Sequence, residues 1–304
     1  MIPKGVWMML IASLAFGFMN VTVKMISGMH VSEIVFFRAL VQILISAVFL
    51  IQQKQSPWGN NPRLLILRGF FGSMGLLCYF YSLQLMPLSN ALVIHYLSPI
   101  FTTVLALWLG DEKVHSRLWL FFGVTFFGVL MVNLLTSKVS HELLNGTLQF
   151  HHIAGSITPL GLAAAFGGAV FSAFAYNTIR RLKGIENPNV VVLYFPLVTI
   201  PISLIAPITG LSTWFIPTAS QWIWLLLTGI FTQIGQFFMT RAYQESNTGL
   251  VSSISYAGII WGTFFSITLF QETYNFYQFA GMFLVLLGMV LNVVNRDKSI
   301  VSSR

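Results

Sequence analysis

Ten segments of about 20 largely apolar residues run along this chain, each the length a helix needs to cross the hydrocarbon core of a bilayer. They cover residues 5–26, 32–51, 64–86, 90–109, 118–136, 160–180, 189–208, 221–242, 249–270 and 275–294. In lipid, only structures that satisfy their own backbone groups can span, so a sequence of this kind is confined to a bundle of helices. Composition removes the soluble alternative: 56% of the 304 residues are hydrophobic and 8% are Asp, Glu, Lys or Arg, where soluble domains carry roughly 25%. The expected fold class is therefore an all-α polytopic membrane protein with ten transmembrane helices in a lipid bilayer. The apolar run behind Lys4 lacks a short hydrophobic region followed by a small-residue cleavage site, and is read as the first span.

The formal net charge of +8 does not indicate nucleic acid, because the basic residues stand singly or in twos and threes between apolar stretches rather than in a solvated patch. They act instead as topology signals. With the N-terminus inside, inner loops and helix ends collect 13 of the 16 Lys and Arg, among them Lys4, Arg63, Arg68, Arg117, Arg180 and Arg296. Lys24 and Lys138 fall outside, and Arg38 within the second helix. This bias places both termini in the cytoplasm and the chain in the cell's inner (plasma) membrane. Cys78 is the single cysteine, which excludes intramolecular disulfides and Cys-based zinc sites.

The two halves of the chain echo one another. A shift of 160 superposes Gly69 on Gly229, Gly75 on Gly235, Tyr96 on Tyr256, Thr103 on Thr263, Glu112 on Glu272 and Gly128 on Gly288. Earlier in each half, a shift of 156 superposes Gly5 on Gly161, Phe18 on Phe174, Thr22 on Thr178 and Lys24 on Arg180. Five helices per repeat is an odd number, so the second repeat starts from the opposite face. The expected organisation is a first repeat over 1–136, an extracytoplasmic linker over 137–159, and a second repeat over 160–304 with a short cytoplasmic tail. In transporters, inverted repeats place the substrate site near the midplane where the halves meet.

Several stretches resemble a known family. Arg68-Gly69, Tyr79-Phe80-Tyr81-Ser82-Leu83, Leu97-Ser98-Pro99-Ile100 and Gly110-Asp111-Glu112, with the echo Arg241-Ala242, Tyr256-Ala257, Gln271-Glu272, Gly281 and Gly288, are similar to the EamA family of the drug/metabolite transporter superfamily. Ser32-Glu33 with Phe36-Phe37-Arg38, and Leu67-Arg68-Gly69, resemble its bacterial S-adenosylmethionine-uptake branch. The resemblance implies a carrier fold and transport of metabolites such as amino acids, S-adenosylmethionine, amines or nucleoside-like compounds. Gly123 and Gly128 depart from the family's spacing, which Gly281 and Gly288 keep.

Candidate substrate-binding residues are the polar and aromatic side chains set deep within the apolar segments. Tyr96 and Tyr256 occupy equivalent places two turns into the fourth and ninth helices, too deep for the interfacial belt; they suit a cavity wall, with His95 alongside. Asn20, Tyr79, Tyr176, Asn177, Gln236 and Trp261 add hydrogen-bonding groups that must find a partner helix or a polar path, as must Gln233. Arg38 suits a gate, a substrate carboxylate or snorkelling to the outer surface. Pro99 is expected about 13 Å inside the fourth helix, freeing the carbonyl of His95; Pro196 and Pro201 are expected as kinks in the seventh. Glu112 and Glu272 read as structural corners. His141, His151 and His152 read as a polar linker, and Asn145-Gly146-Thr147 as a sequon on the outer side.

The expected function is secondary transport of a small polar organic metabolite by alternating access, the two halves rocking about a midplane site. No nucleotide loop, nucleophile elbow or metal motif occurs, so no enzyme activity, catalytic residue, metal or cofactor is expected. A channel would need rings of pore charge, and a membrane enzyme a cluster of acid/base or metal residues. The expected partners are the solute and the lipid bilayer, in a monomer or homodimer. No Asp lies mid-span, so His95 is the expected source of any pH dependence.

Overall fold

The computed structural model describes residues 3–26, 28–85, 94–109, 117–134, 159–270 and 276–301, and no strand occurs among the described residues. Twelve helices are found among them. The first six are α1 (Lys4–Met25), α2 (Val31–Gln52), α3 (Pro62–Leu85), α4 (Ser98–Trp108), α5 (Arg117–Leu134) and α6 (Pro159–Arg181). They are followed by α7 (Pro188–Ser203), α8 (Ile205–Ile208), α9 (Ala219–Glu245), α10 (Thr248–Ser255), α11 (Ala257–Phe270) and α12 (Phe276–Val301). Among the described residues, six stretches are long and apolar enough to cross a membrane by length and composition: Lys4–Met25, Val31–Gln52, Pro159–Arg181, Pro188–Ile208, Ala219–Glu245 and Thr248–Leu269. Glu112, Glu272, His141, His151, His152 and the Asn145 sequon lie outside the described residues.

Sequence punctuation sets the helix starts. The His30 ring accepts the Ser32 amide at 3.2 Å to begin α2. Asn187 accepts the Asn189 amide at 2.9 Å to begin α7, with Pro188 at the first position, where its missing N–H has no intrahelical partner. Thr218 and Gln221 cap α9 reciprocally, and Asn247 accepts the Leu250 amide at 3.2 Å to begin α10. Each side-chain oxygen or ring nitrogen answers an amide the first turn leaves unbonded.

The chain forms two compact units, and each takes residues from both sequence halves. One comprises Pro3–Met74 and Phe174–Ser246, the other Gly75–Ala173 and Asn247–Arg304. In the first unit α1 packs along α9, while α2 packs against α7 and α9. Helix α2 is inside out by the standards of a soluble protein. Arg38, Gln42 and Ser46, spaced four apart, are all buried, whereas Leu44, Val48 and Ile51 are exposed. An apolar outer face is what a lipid solvent selects.

In the second unit α5 packs along α12, and α10 packs against α4, α5 and α12. Small residues allow the α5–α12 approach: a Cβ on Gly128 would lie 2.6 Å from the Gly281 carbonyl, and one on Gly288 2.1 Å from Thr125 Oγ1. Close backbone contact of this kind supplies van der Waals packing where no hydrophobic force separates helix from lipid. Gly123 faces open space and takes no part.

The fourth segment departs from expectation. Pro99 is the second residue of α4, so it starts a helix rather than kinking one. The first turn has no use for the missing amide, which makes this a low-cost place for proline. Ahead of it the chain turns at Tyr96 and Leu97. Tyr256 forms a second such interruption, standing between α10 and α11 with Ile259, not a proline, in the corresponding place. Pro196 and Pro201 lie inside α7, which stays helical through both and is interrupted at Leu204.

One basic residue counted as an inner helix-end signal lies elsewhere, and another, Arg180 in the last turn of α6, holds a second helix end. Arg68 lies well inside α3 and is 2% exposed. Arg180 donates from Nη1 to the Ser246 carbonyl at 2.6 Å, binding the C-terminal end of α9, where a cation complements the helix dipole.

Candidate functional site

The candidate residues fall into two groups, one in each unit. In the unit that contains α10 and α11, the interruptions at Tyr96 and Tyr256 come together. The two rings lie 5.8 Å apart with a 31° tilt, and the Tyr256 hydroxyl donates to the Tyr96 carbonyl at 2.8 Å. An interrupted helix leaves carbonyls without intrahelical donors, and in a buried setting each needs another one. Tyr256 supplies it from a fully buried position. Next to Tyr96, the His95 ring stacks 4.3 Å from the Tyr79 ring at a 34° tilt, and His95 Nδ1 is buried without a hydrogen-bond partner. Trp261 lies in α11, five residues beyond Tyr256, and is half-buried.

In the other unit the centre is Arg68. Its Nη2 donates to Gln236 Oε1 on α9 at 2.8 Å, and its guanidinium carbon lies 4.7 Å from the centre of the Phe195 ring on α7. Arg38 approaches the same ring at 5.9 Å and is 4% exposed. Both distances are within the range of a cation–π contact. Tyr176 stacks on Tyr243 at 5.0 Å with a 12° tilt. Gln233 Nε2 donates to Ser46 Oγ at 2.8 Å, and Asn177 is buried on α6. Asn20 is exposed on α1 and joins neither group.

Arg38 does not reach a solvated surface, and five residues away Glu33 accepts the Phe215 amide at 3.3 Å instead of pairing with it. The sequence reading missed Arg68, Gln42, Phe195 and Tyr243. For Gln42 the signal is present: Arg38, Gln42 and Ser46 recur every fourth residue in an otherwise apolar helix, which puts them on one stripe. For Phe195 and Tyr243 no local signal distinguishes them from the other aromatics of apolar helices.

Comparison with known proteins gives this geometry a context. A family model described as the EamA-like transporter family matches residues 3–134 and 159–294. The chain belongs to the EamA-like transporter family. A pseudopaline exporter of Pseudomonas aeruginosa is 28% identical to this EamA-like chain over 293 residues, covering 95% of this chain and 96% of the relative. Solute carrier family 35 member G1 of Homo sapiens is 27% identical over 297 residues, covering 94% and 78% of the two chains. A solved crystal structure with 17% identity has a TM-score of 0.78 and covers 94% of each chain, a likeness of fold alone. The EamA-like family and these named relatives are transporters, not enzymes. This chain is accordingly a multi-pass integral membrane protein of a transporter family.

Proposed function

We propose that the protein is a secondary carrier that moves a small polar organic solute by alternating access, through ten spans arranged as two inverted five-helix repeats. The observation that carries this reading is the pair of interrupted helices at Tyr96 and Tyr256. Interrupted helices in corresponding places of two repeats are the usual setting of a transporter's substrate site, because irregular backbone at membrane depth is tolerated where it lines protein or a polar cavity. The repeat itself draws support from matching element ends. Met25 and Arg181, the last residues of α1 and α6, are 156 positions apart. Gly28 and Gly184 follow those helices at the same offset with φ of 77° and 73°, a left-handed conformation that glycine adopts without steric cost. The family match over two separate stretches, 3–134 and 159–294, is consistent with a repeat in each.

In this reading the repeats occupy 1–136 and 160–304, joined by an extracytoplasmic linker at 137–159. Both termini are cytoplasmic, and the chain works in the inner (plasma) membrane as a monomer or homodimer. The names of the relatives, an exporter and a solute carrier, support solute cargo. An amino-acid-like, S-adenosylmethionine-like or amine solute suits aromatic faces, amides and hydroxyls. The candidate binding residues are Tyr96, Tyr256, His95, Tyr79 and Trp261 in one unit, and Arg38, Tyr176, Asn177, Gln236 and Asn20 in the other. Pro99 at the start of α4 and Pro196 and Pro201 within α7 are the gating candidates of this reading, each a place where a backbone donor is missing. Transport proceeds without obligatory proton symport, and pH dependence arises at His95.

Uptake of radiolabelled amino acids, S-adenosylmethionine and amines into proteoliposomes, followed by counterflow, tests the carrier reading. Preloaded unlabelled solute should accelerate entry of label; entry unaffected by preloading indicates a channel. Tyr96→Ala and Tyr256→Ala should lower uptake more than Tyr277→Ala at equal protein. His95→Gln, assayed across about pH 5.5–8.5, should flatten the pH profile, and proton-driven accumulation that survives in this variant overturns the coupling.

A further inference from the structure

We propose that Arg38 and Arg68, with Gln42 and Gln236, bind an oxyanion group, carboxylate or phosphate, of the transported solute. This rests on the carrier reading and adds a substrate class to it. Four helices of one unit build the place: α2 contributes Arg38 and Gln42, α3 contributes Arg68, α7 contributes Phe195, and α9 contributes Gln236. Both guanidiniums lie over the Phe195 ring, and both arginines are more than nine-tenths buried.

Their hydrogen-bonding capacity is largely unmet. Arg38 Nε and Nη2, and Arg68 Nε and Nη1, have no partner in the protein. Gln42, one turn from Arg38 and fully buried, has neither its amide nitrogen nor its oxygen bonded. The positive charge is unmet as well. The acidic residues of this unit are Glu33, Glu186 and Glu245, and none pairs with either arginine, although Glu33 Oε2 is itself buried and unbonded. Glu33 accepts the Phe215 amide, Glu186 accepts the amides of Asn60 and Asn61, and Glu245 pairs with Arg241 at 2.9 Å.

Two buried charges with no carboxylate partner are poorly solvated, a costly arrangement at membrane depth. Phe195 offsets part of that cost through its ring face. An anion offsets far more, because a guanidinium presents a planar fork of donors matched to carboxylate and phosphate oxygens. Space is reserved for the fork: a Cβ on Gly72 would stand 2.6 Å from Arg68 Nη1. The Gln236 bond fixes Arg68 through one nitrogen and leaves Nε and Nη1 for the ligand.

The test is ligand-dependent thermal stability of the full chain in detergent. The probes are acetate, succinate, citrate and glycerol 3-phosphate; succinamide, glycerol and sodium chloride at matched ionic strength are the controls. At least one oxyanion should raise the unfolding midpoint and the controls should not, since a ligand that binds only the folded state stabilises it. Carboxylate probes against glycerol 3-phosphate identify which oxyanion is preferred. Arg38→Gln and Arg68→Gln should each weaken the apparent affinity by about tenfold or more, the loss expected for one charged hydrogen bond. Arg68→Lys keeps the charge and should retain part of the affinity, which tests the site if the Gln variant misfolds; circular dichroism and monodisperse elution check folding.

No shift beyond the controls with any oxyanion overturns the proposal, as does a shift that persists undiminished in both Gln variants. Proteoliposome uptake separates the two readings. Transport of a cationic or neutral solute that both Gln variants retain, without oxyanion binding, removes the site and leaves the carrier. Arginine-dependent oxyanion binding with no solute crossing leaves the site and removes the carrier.

Discussion

Tyr256 has a structural duty that its partner Tyr96 lacks. Its hydroxyl answers the Tyr96 carbonyl at 2.8 Å, so Tyr256→Phe keeps the ring and strands a backbone acceptor. Unfolding in mixed micelles should show a loss of about 1–3 kcal/mol for this variant. Tyr96→Phe should stay within about 0.5 kcal/mol, the usual range for a change that strands no buried group. Equal losses would mean that the hydroxyl bond is not what holds the interruption. Arg68 illustrates a different point about single residues. Six positions after Pro62, it stands about 9 Å inside α3, a depth that sequence counting makes available. Counting it as an inner helix end followed from its sign alone, and its burial depends on α7 and α9 supplying Phe195 and Gln236.

At the scale of elements, glycine contacts distinguish packing positions from neutral ones. Gly288→Ala puts a methyl against Thr125 and the Phe121 carbonyl, and should destabilise by about 1–3 kcal/mol. Gly123→Ala meets nothing within 4 Å and should be neutral or slightly stabilising through helix propensity. Thermal unfolding of the two variants side by side measures the difference; a Gly288 variant as stable as the Gly123 variant would show that α5 and α12 do not approach as described. The start of α10 is fixed by one side chain, Asn247. Asn247→Ala should cost about 1 kcal/mol, read as faster amide exchange over Thr248–Val251. Helix interruption, by contrast, does not follow proline here. Pro99 sits just beyond one interruption, and the interruption at Tyr256 has no proline in the corresponding place.

For the whole molecule, orientation is the property most exposed to test. Cytoplasmic termini are expected from the basic residues, and the bias outlasts the removal of the buried Arg68 from the count. With Cys78 replaced by Ser, single cysteines at Asn145 and Ser302 can be treated in intact cells with an impermeant thiol reagent. Asn145→Cys should label and Ser302→Cys should be protected; the reverse pattern overturns the orientation. The division into compact units carries a second lesson at this scale. The proposed repeats divide the chain at 137–159, whereas the compact units each combine residues from before and after that stretch. A repeat boundary would follow the order of segments along the chain, whereas a packing boundary follows which helix faces meet.

Consecutive residues were enough to set the helical class, the approximate helix limits and the polar side chains deep within apolar segments. Those properties depend on length, apolarity and local caps, which are carried by consecutive residues. They also set Tyr96 and Tyr256 at one offset with other matching residues, and the two meet in the structure. Tertiary structure decided which polar residues meet. Arg38 and Arg68 are 30 positions apart in the sequence and reach one ring from α7, while Asn20, as deep in its segment as the others, is left exposed. Depth along a helix is set by residue number, but the direction a side chain faces acquires meaning only when neighbouring helices pack around it. That packing is why the arginine pair was legible only in three dimensions.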